Sequence, residues 1–138
     1  MTLLKFKLTD KVNKVVKDAK DKNYKHVMIT DESGLKVLGL LFISDLTKVK
    51  TEAELLKVED SLQAFIETNE IIDDITKTKW GKQGVKNFVT VNMDDTLKSV
   101  VDKMKELDES LSVRAIVMEK DAPKAIVTYD MISKELQK

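Results

Sequence analysis

The apolar residues Val12, Val15, Val16 and Ala19 superpose without a gap on Leu97, Val100, Val101 and Met104, and the stretches that follow each set repeat as well. Such self-similarity most constrains the fold, because each copy must be one supersecondary unit that leaves part of its apolar surface to be covered. In the first half, "KFKL" (5–8) predicts a short strand and "TDKVNKVVKDAKDK" (9–22) a helix opened by a Thr/Asp cap. "HVMIT" (26–30) reads as a strand, "DESG" (31–34) as a turn with glycine at positive φ, and "KVLGLLFI" (36–43) as a second strand. A helix is expected to begin at Ser44 or Asp45.

The second half has the same order. "NFVTV" (87–91) reads as a strand, and "DDTLKSVVDKMKEL" (94–107) as a capped helix with Leu97, Val100, Val101, Met104 and Leu107 on one side. "SVRAIVM" (112–118), a turn "EKDAP" (119–123), a strand "KAIVT" (124–128) and a closing helix "YDMISKEL" (129–136) complete it. The fold class is therefore α/β, two βαββα repeats, with expected segments 1–50, 51–86 and 87–138. Between the repeats, Leu55, Val58, Leu62, Phe65 and Ile66, then Ile71, Ile72 and Ile75, predict one or two amphipathic helices that pack on the halves, not a flexible tether.

Composition narrows the function classes. With no cysteine, thiolate metal sites and cysteine nucleophiles are excluded. One histidine and no Gly-rich phosphate loop leave catalytic triads, P-loops and zinc hydrolases without residues, and adjacent acids such as Asp73/Asp74 and Asp94/Asp95 diverge on a helix, so the chain is read as a non-enzyme. Lysine plus arginine equals aspartate plus glutamate at 24 each, so no global field attracts nucleic acid. No apolar run approaches the length of a membrane span, and "MTLLKFKLTDK" lacks the pattern of a secretory signal, which makes the cytoplasm the expected compartment. Lysine and glutamate enrichment without cysteine also occurs in hyperthermophile proteins, although AT-rich coding biases composition the same way.

The wording of "NYKHVMITDESGLKVLGLLFISDL" (23–46) and, less closely, "VRAIVMEKDAPKAIVTYDMI" (113–132) resembles that of tandem CBS (cystathionine β-synthase) domains, a Bateman module. The resemblance takes in both halves, apart from residues 47–86, and loosely extends to the gamma subunits of AMP-activated protein kinases in "FISDL" and the long linker. It implies repeats packed about a pseudo-twofold axis, with adenosine nucleotides or related ligands bound in the clefts between them. In the family pattern the second strand ends in Thr–x–x–Asp, where the acid accepts from ribose hydroxyls and the threonine contacts sugar or phosphate. A carboxylate at a strand-to-helix junction suits that task, since both elements hold it and it accepts two hydrogen bonds.

Carried over residue by residue, Asp45 takes the acid position of the first repeat, but Phe42 stands where threonine is usual, so Ser44 is the substitute hydroxyl. In the second repeat Thr128 takes the threonine position, while Met131 replaces the acid and Asp130 comes one residue early, about 100° of helix away. One nucleotide site is therefore expected, not two. His26 and Arg114, the single histidine and single arginine, open the middle strand of each repeat, where the resemblance implies a basic residue facing ligand phosphate, with Lys25 assisting. Tyr24 and Met28 are candidates to line an adenine pocket.

Each candidate also has a purely structural alternative. Asp45 and Thr128 can be strand-end caps, His26 an ordinary half-exposed strand residue, and Tyr24 and Met28 core. Trp80, in "KTKWGKQG" (77–84), can stack on a base or staple the linker to the core, the second being the commoner fate. The function expected from the resemblance is a stand-alone regulatory module that binds AMP, ADP, ATP or S-adenosylmethionine, without a cofactor, and signals to a regulated protein. A homodimer is expected through helix faces carrying Leu46, Val49, Ile132 and Leu136. The alternatives are a ligand-free scaffold or dimerisation domain, and nucleic-acid binding through the Lys/Trp segment 77–86.

Overall fold

The structure is a computed structural model that describes residues 4–72, 79–80, 87–107 and 113–136. These divide into two compact units, one within residues 4–85 and the other carried by residues 86–138.

In the first unit, β1 (Lys5–Lys7), α1 (Val12–Asp21), β2 (His26–Thr30), β3 (Val37–Phe42) and α2 (Ile43–Thr47) are followed by α3 (Glu52–Leu55) and α4 (Leu62–Thr68). The sheet order is β1-β2-β3, with β1 parallel and β3 antiparallel to β2. All four apolar residues expected on the α1 face are buried, and they share one core with Val27, Ile29, Leu41, Leu46, Leu55, Leu62 and Phe65. Strand alternation puts Met28 and Leu40, cross-strand partners, on the sheet's other face, where both are wholly buried. Gly34 has φ +78° in the β2–β3 turn, as expected, and the Asp31 carboxylate accepts from the Ser33 backbone N–H at 3.1 Å. This holds Asp31 below the usual carboxylate range, with the Ser33 hydroxyl the largest cause.

The expected Thr/Asp cap of α1 is replaced. Its N-cap is Lys11, without a side-chain bond, and Asp10 instead accepts from the Lys7 N–H at 2.8 Å. The first helical N–H groups are satisfied by the linker: Val12 donates to the Asp60 carbonyl (2.9 Å) and Asn13 to that of Val58 (3.0 Å). The linker does contain two short helices. A capping box between Thr51 and Glu54 opens α3, and the Ser61 hydroxyl, accepting from the Ala64 N–H, opens α4. Ile71 is buried and Ile72 exposed, whereas Ile75 lies outside the described residues.

The second unit contains β4 (Phe88–Asn92), α5 (Leu97–Leu107), β5 (Arg114–Glu119), β6 (Ala122–Val127) and α6 (Tyr129–Leu136), with sheet order β4-β5-β6. It repeats the first unit in detail: Asp95 accepts from the Asn92 N–H at 3.0 Å, as Asp10 does from Lys7. The expected turn over 119–123 is shorter. Only Lys120 and Asp121, at φ +51° and +65°, form the loop, and Glu119 already pairs with Ala122. Pro123 lies inside β6, an edge strand, beside a register shift that accommodates its missing N–H. On α5 only Val100 and Met104 are buried; Leu97 and Leu107 are exposed, contrary to the expected five-residue core face. Two expected dimer contacts are also corrected: Leu46 and Ile132 are buried in their own units, leaving Val49 exposed, while the Leu136 side chain lies outside the described residues. Among the described residues no helix is long and apolar enough to cross a membrane.

Candidate ligand site

In the first unit β3 runs directly into α2. Phe42 is the N-cap, with extended backbone (φ −88°, ψ 134°) and no side-chain cap bond, so α2 begins at Ile43, one residue before the expected start. Asp45 is therefore not a cap. It sits in the first turn and is only 1% exposed, which overturns the simple capping role. A buried carboxylate in this place is held by strand and helix together. The backbone N–H of Ile43 donates to the Lys25 carbonyl at 2.8 Å, tying the start of α2 to the start of β2. Ser44 is exposed, and its carbonyl accepts from the Thr47 hydroxyl at 3.2 Å.

His26 is half-buried at the start of β2, paired in register with Phe42; the two rings are tilted by 47° with centroids 5.6 Å apart. Lys25 is exposed, and Tyr24 packs half-buried against the core. Met28 is wholly buried two residues further along β2. His26, Ser44 and Asp45 thus gather at one end of the first sheet, without Met28.

In the second unit Arg114 opens β5 and is half-buried; burial lowers its pKa from the ordinary arginine value. Ala115 pairs with Val127, so Arg114 and Thr128, one residue further along each strand, lie at the same end of the sheet. The Thr128 hydroxyl accepts from the Met131 N–H at 3.3 Å, which makes it the cap of α6, as its structural alternative held. Met131, at the counterpart of Asp45, is 45% exposed.

Trp80 belongs to the first unit. Its ring lies on Gly39, where an added Cβ would come within 3.2 Å of the indole, and its Nε1–H donates to the Leu40 carbonyl at 3.2 Å. Lys79 is paired with Glu70 at 2.8 Å. The aromatic of the Lys/Trp segment is thus a staple and presents no open stacking face; the rest of 77–86 lies outside the described residues.

A family model of the CBS domain matches residues 84–138. That stretch of the chain is a CBS domain. The match falls on the second repeat, although the first carries the fuller form of the resemblance. The fold extends over the whole chain: a CBS-domain-containing protein of unknown function from Kribbella flavida is similar with a TM-score of 0.63 at 14% identity, covering 100% of this chain and 95% of that one. The CBS domain of a putative transporter from Clostridium difficile gives 0.61 at 16% identity, with 98% and 85% covered. OpuCA of Staphylococcus aureus gives 0.57 at 14% identity, with 99% and 94% covered. No curated protein matches the sequence.

Proposed function

We propose that this CBS-domain protein is a regulatory module that binds an adenosine-type nucleotide and alters its contact with a regulated protein on doing so. The observation that supports it most is Asp45, a carboxylate held almost fully buried where β3 enters α2, at the position the family uses for the ribose acid. Its two oxygens suit a pair of vicinal hydroxyls. Ser44 is the neighbouring hydroxyl and His26 the basic group of the same unit suited to phosphate; Arg114, whose guanidinium offers two parallel donors, is its counterpart in the second unit. Met131 makes the second repeat a poor ribose binder, so one site is proposed. Binding to the folded state alone stabilises by about 2.7 kcal/mol at a hundred times Kd, a shift of several degrees in Tm for a chain of this size. AMP, ADP, ATP and S-adenosylmethionine are to be compared by thermal shift; a specific rise abolished by Asp45→Ala supports the reading, and no rise at millimolar ligand defeats it.

A second reading, a CBS-fold scaffold without ligand, is favoured by one contact. The Phe42 ring stands in the threonine position, 5.6 Å from that of His26. If that ring blocks the site, Phe42→Thr gains nucleotide binding that the native chain lacks.

A further inference from the structure

The two repeats differ in what lies over their helices. In the first unit Val12, Leu41 and Leu46 are wholly buried in one cluster with Leu55, Leu62 and Phe65. The segment that brings in those last three is docked by its backbone as well: Leu62 N–H donates to the Asp10 carbonyl at 2.8 Å and Gln63 N–H to that of Leu8 at 3.0 Å. The shared loop bonds and strand registers make Leu97, Val127 and Ile132 the counterparts of Val12, Leu41 and Leu46. There Leu97 is 38% exposed, Met131 beside it 45%, and Met93, the counterpart of Leu8, 61%. Leu97, Val127, Met131, Ile132, Lys134 and Glu135 line a groove of about 390 Å³.

We propose that this groove docks an acidic amphipathic segment of a partner protein, with the chemistry of residues 51–66. That segment shows what such a face accepts: a short capped helix, then an apolar–acidic stretch leading into a second hydroxyl-capped helix with leucine and phenylalanine one turn apart. It carries four acids (Glu52, Glu54, Glu59, Asp60) against one base (Lys57). Lys134 lines the second-unit groove and Lys98, next to Leu97 in the chain, is exposed; both complement that charge, and Glu135 is the one acid in the lining. Because Thr96 already caps α5, accepting from the Ser99 N–H at 3.1 Å, the partner is asked for apolar cover and not for a cap. The anchors fit the helix-in-groove mode of recognition. This surface gives chemistry to the regulated partner of the proposed function, yet needs no nucleotide to be tested.

The probe is a synthetic peptide copying residues 50–69, titrated into the full chain carrying 13C-methyl methionine, without nucleotide. Saturable shifts are expected at Met93 and Met131 with Trp80 emission unchanged, and Leu97→Asp is expected to weaken binding at least tenfold while circular dichroism stays native. A peptide with Glu52, Glu54, Glu59 and Asp60 amidated is expected to bind several-fold more weakly. The proposal is overturned by an absence of shifts at millimolar peptide, or by a change in Trp80 emission together with shifts that survive Leu97→Asp, which mean displacement of the chain's own segment, since Trp80 shares its cluster. It is equally overturned if Met93 and Met131 shift on raising protein concentration alone, which assigns the groove to a second copy. Nucleotide binding at Asp45 is read separately by thermal shift, so either idea can fail alone.

Discussion

In the first unit the four core-facing residues of α1 are at most 1% exposed, whereas α5, with the same spacing, buries only Val100 and Met104. The sequences of the two helices do not explain the difference. What differs is the chain placed over them: residues 51–66 bring Leu55, Leu62 and Phe65 down on α1 and supply the carbonyls that its first turn needs. On α5 the opening turn is served by Thr96, a side chain of its own. The pair shows that one apolar pattern has two fates, and that the neighbour decides which.

The largest expected effect tests that neighbour. Phe65→Ala should cost about 3–5 kcal/mol in urea unfolding, while Leu97→Ala, on the counterpart face, should cost less than about 1 kcal/mol. Equal losses would mean that the two faces are covered alike. Next comes the staple. Gly39→Ala pushes a methyl to within 3.2 Å of the indole, so a loss of about 1–3 kcal/mol is expected, with Trp80 emission moving to the red as the ring is displaced. Unchanged emission would show that the ring gives way without leaving.

The hairpins allow a smaller comparison. Gly34 supplies the positive φ in the first, but Asp121 must adopt it in the second, so Asp121→Gly is expected to stabilise by roughly 1 kcal/mol or less and Gly34→Ala to destabilise by about 1–2 kcal/mol. The smallest effect is in acid. Glu54 and Asp95 are both held below their ordinary values, chiefly by the backbone N–H groups of Thr51 and Asn92. A depressed folded pKa adds stability above the ordinary carboxylate value, and this is lost as pH falls through the depressed one. Unfolding midpoints should therefore drop below about pH 4, and Glu54→Gln should flatten part of that slope.

Much of this fold is legible in the chain. The α1 face, β2, the Gly34 turn and α6 lie where periodicity and turn chemistry put them, because each depends on neighbours in sequence. The Thr51–Glu54 capping box is equally local, and its S/T-x-x-E signature stands in "TEAE". Periodicity names an apolar face without naming its cover, which is why Leu97 and Leu107 were expected in the core, and Leu46 and Ile132 at an interface. For the candidate site, the motif places Asp45, Ser44 and His26 at one sheet end. It does not tell that Met28, on the same strand as His26, is sealed, nor that Phe42 rather than Asp45 precedes the helix as its cap.

The staple has a consequence in time. Trp80 reaches Leu40 across forty positions of chain, while the β2–β3 hairpin and α1 close over short loops. Long closures are entropically costly before their contacts form, so the indole should be among the last groups to dock in folding. As the sole tryptophan, it reports that event alone. Stopped-flow fluorescence should then lag far-ultraviolet circular dichroism during refolding, and lead it during unfolding, which would make the end of the linker the latch by which the first unit opens.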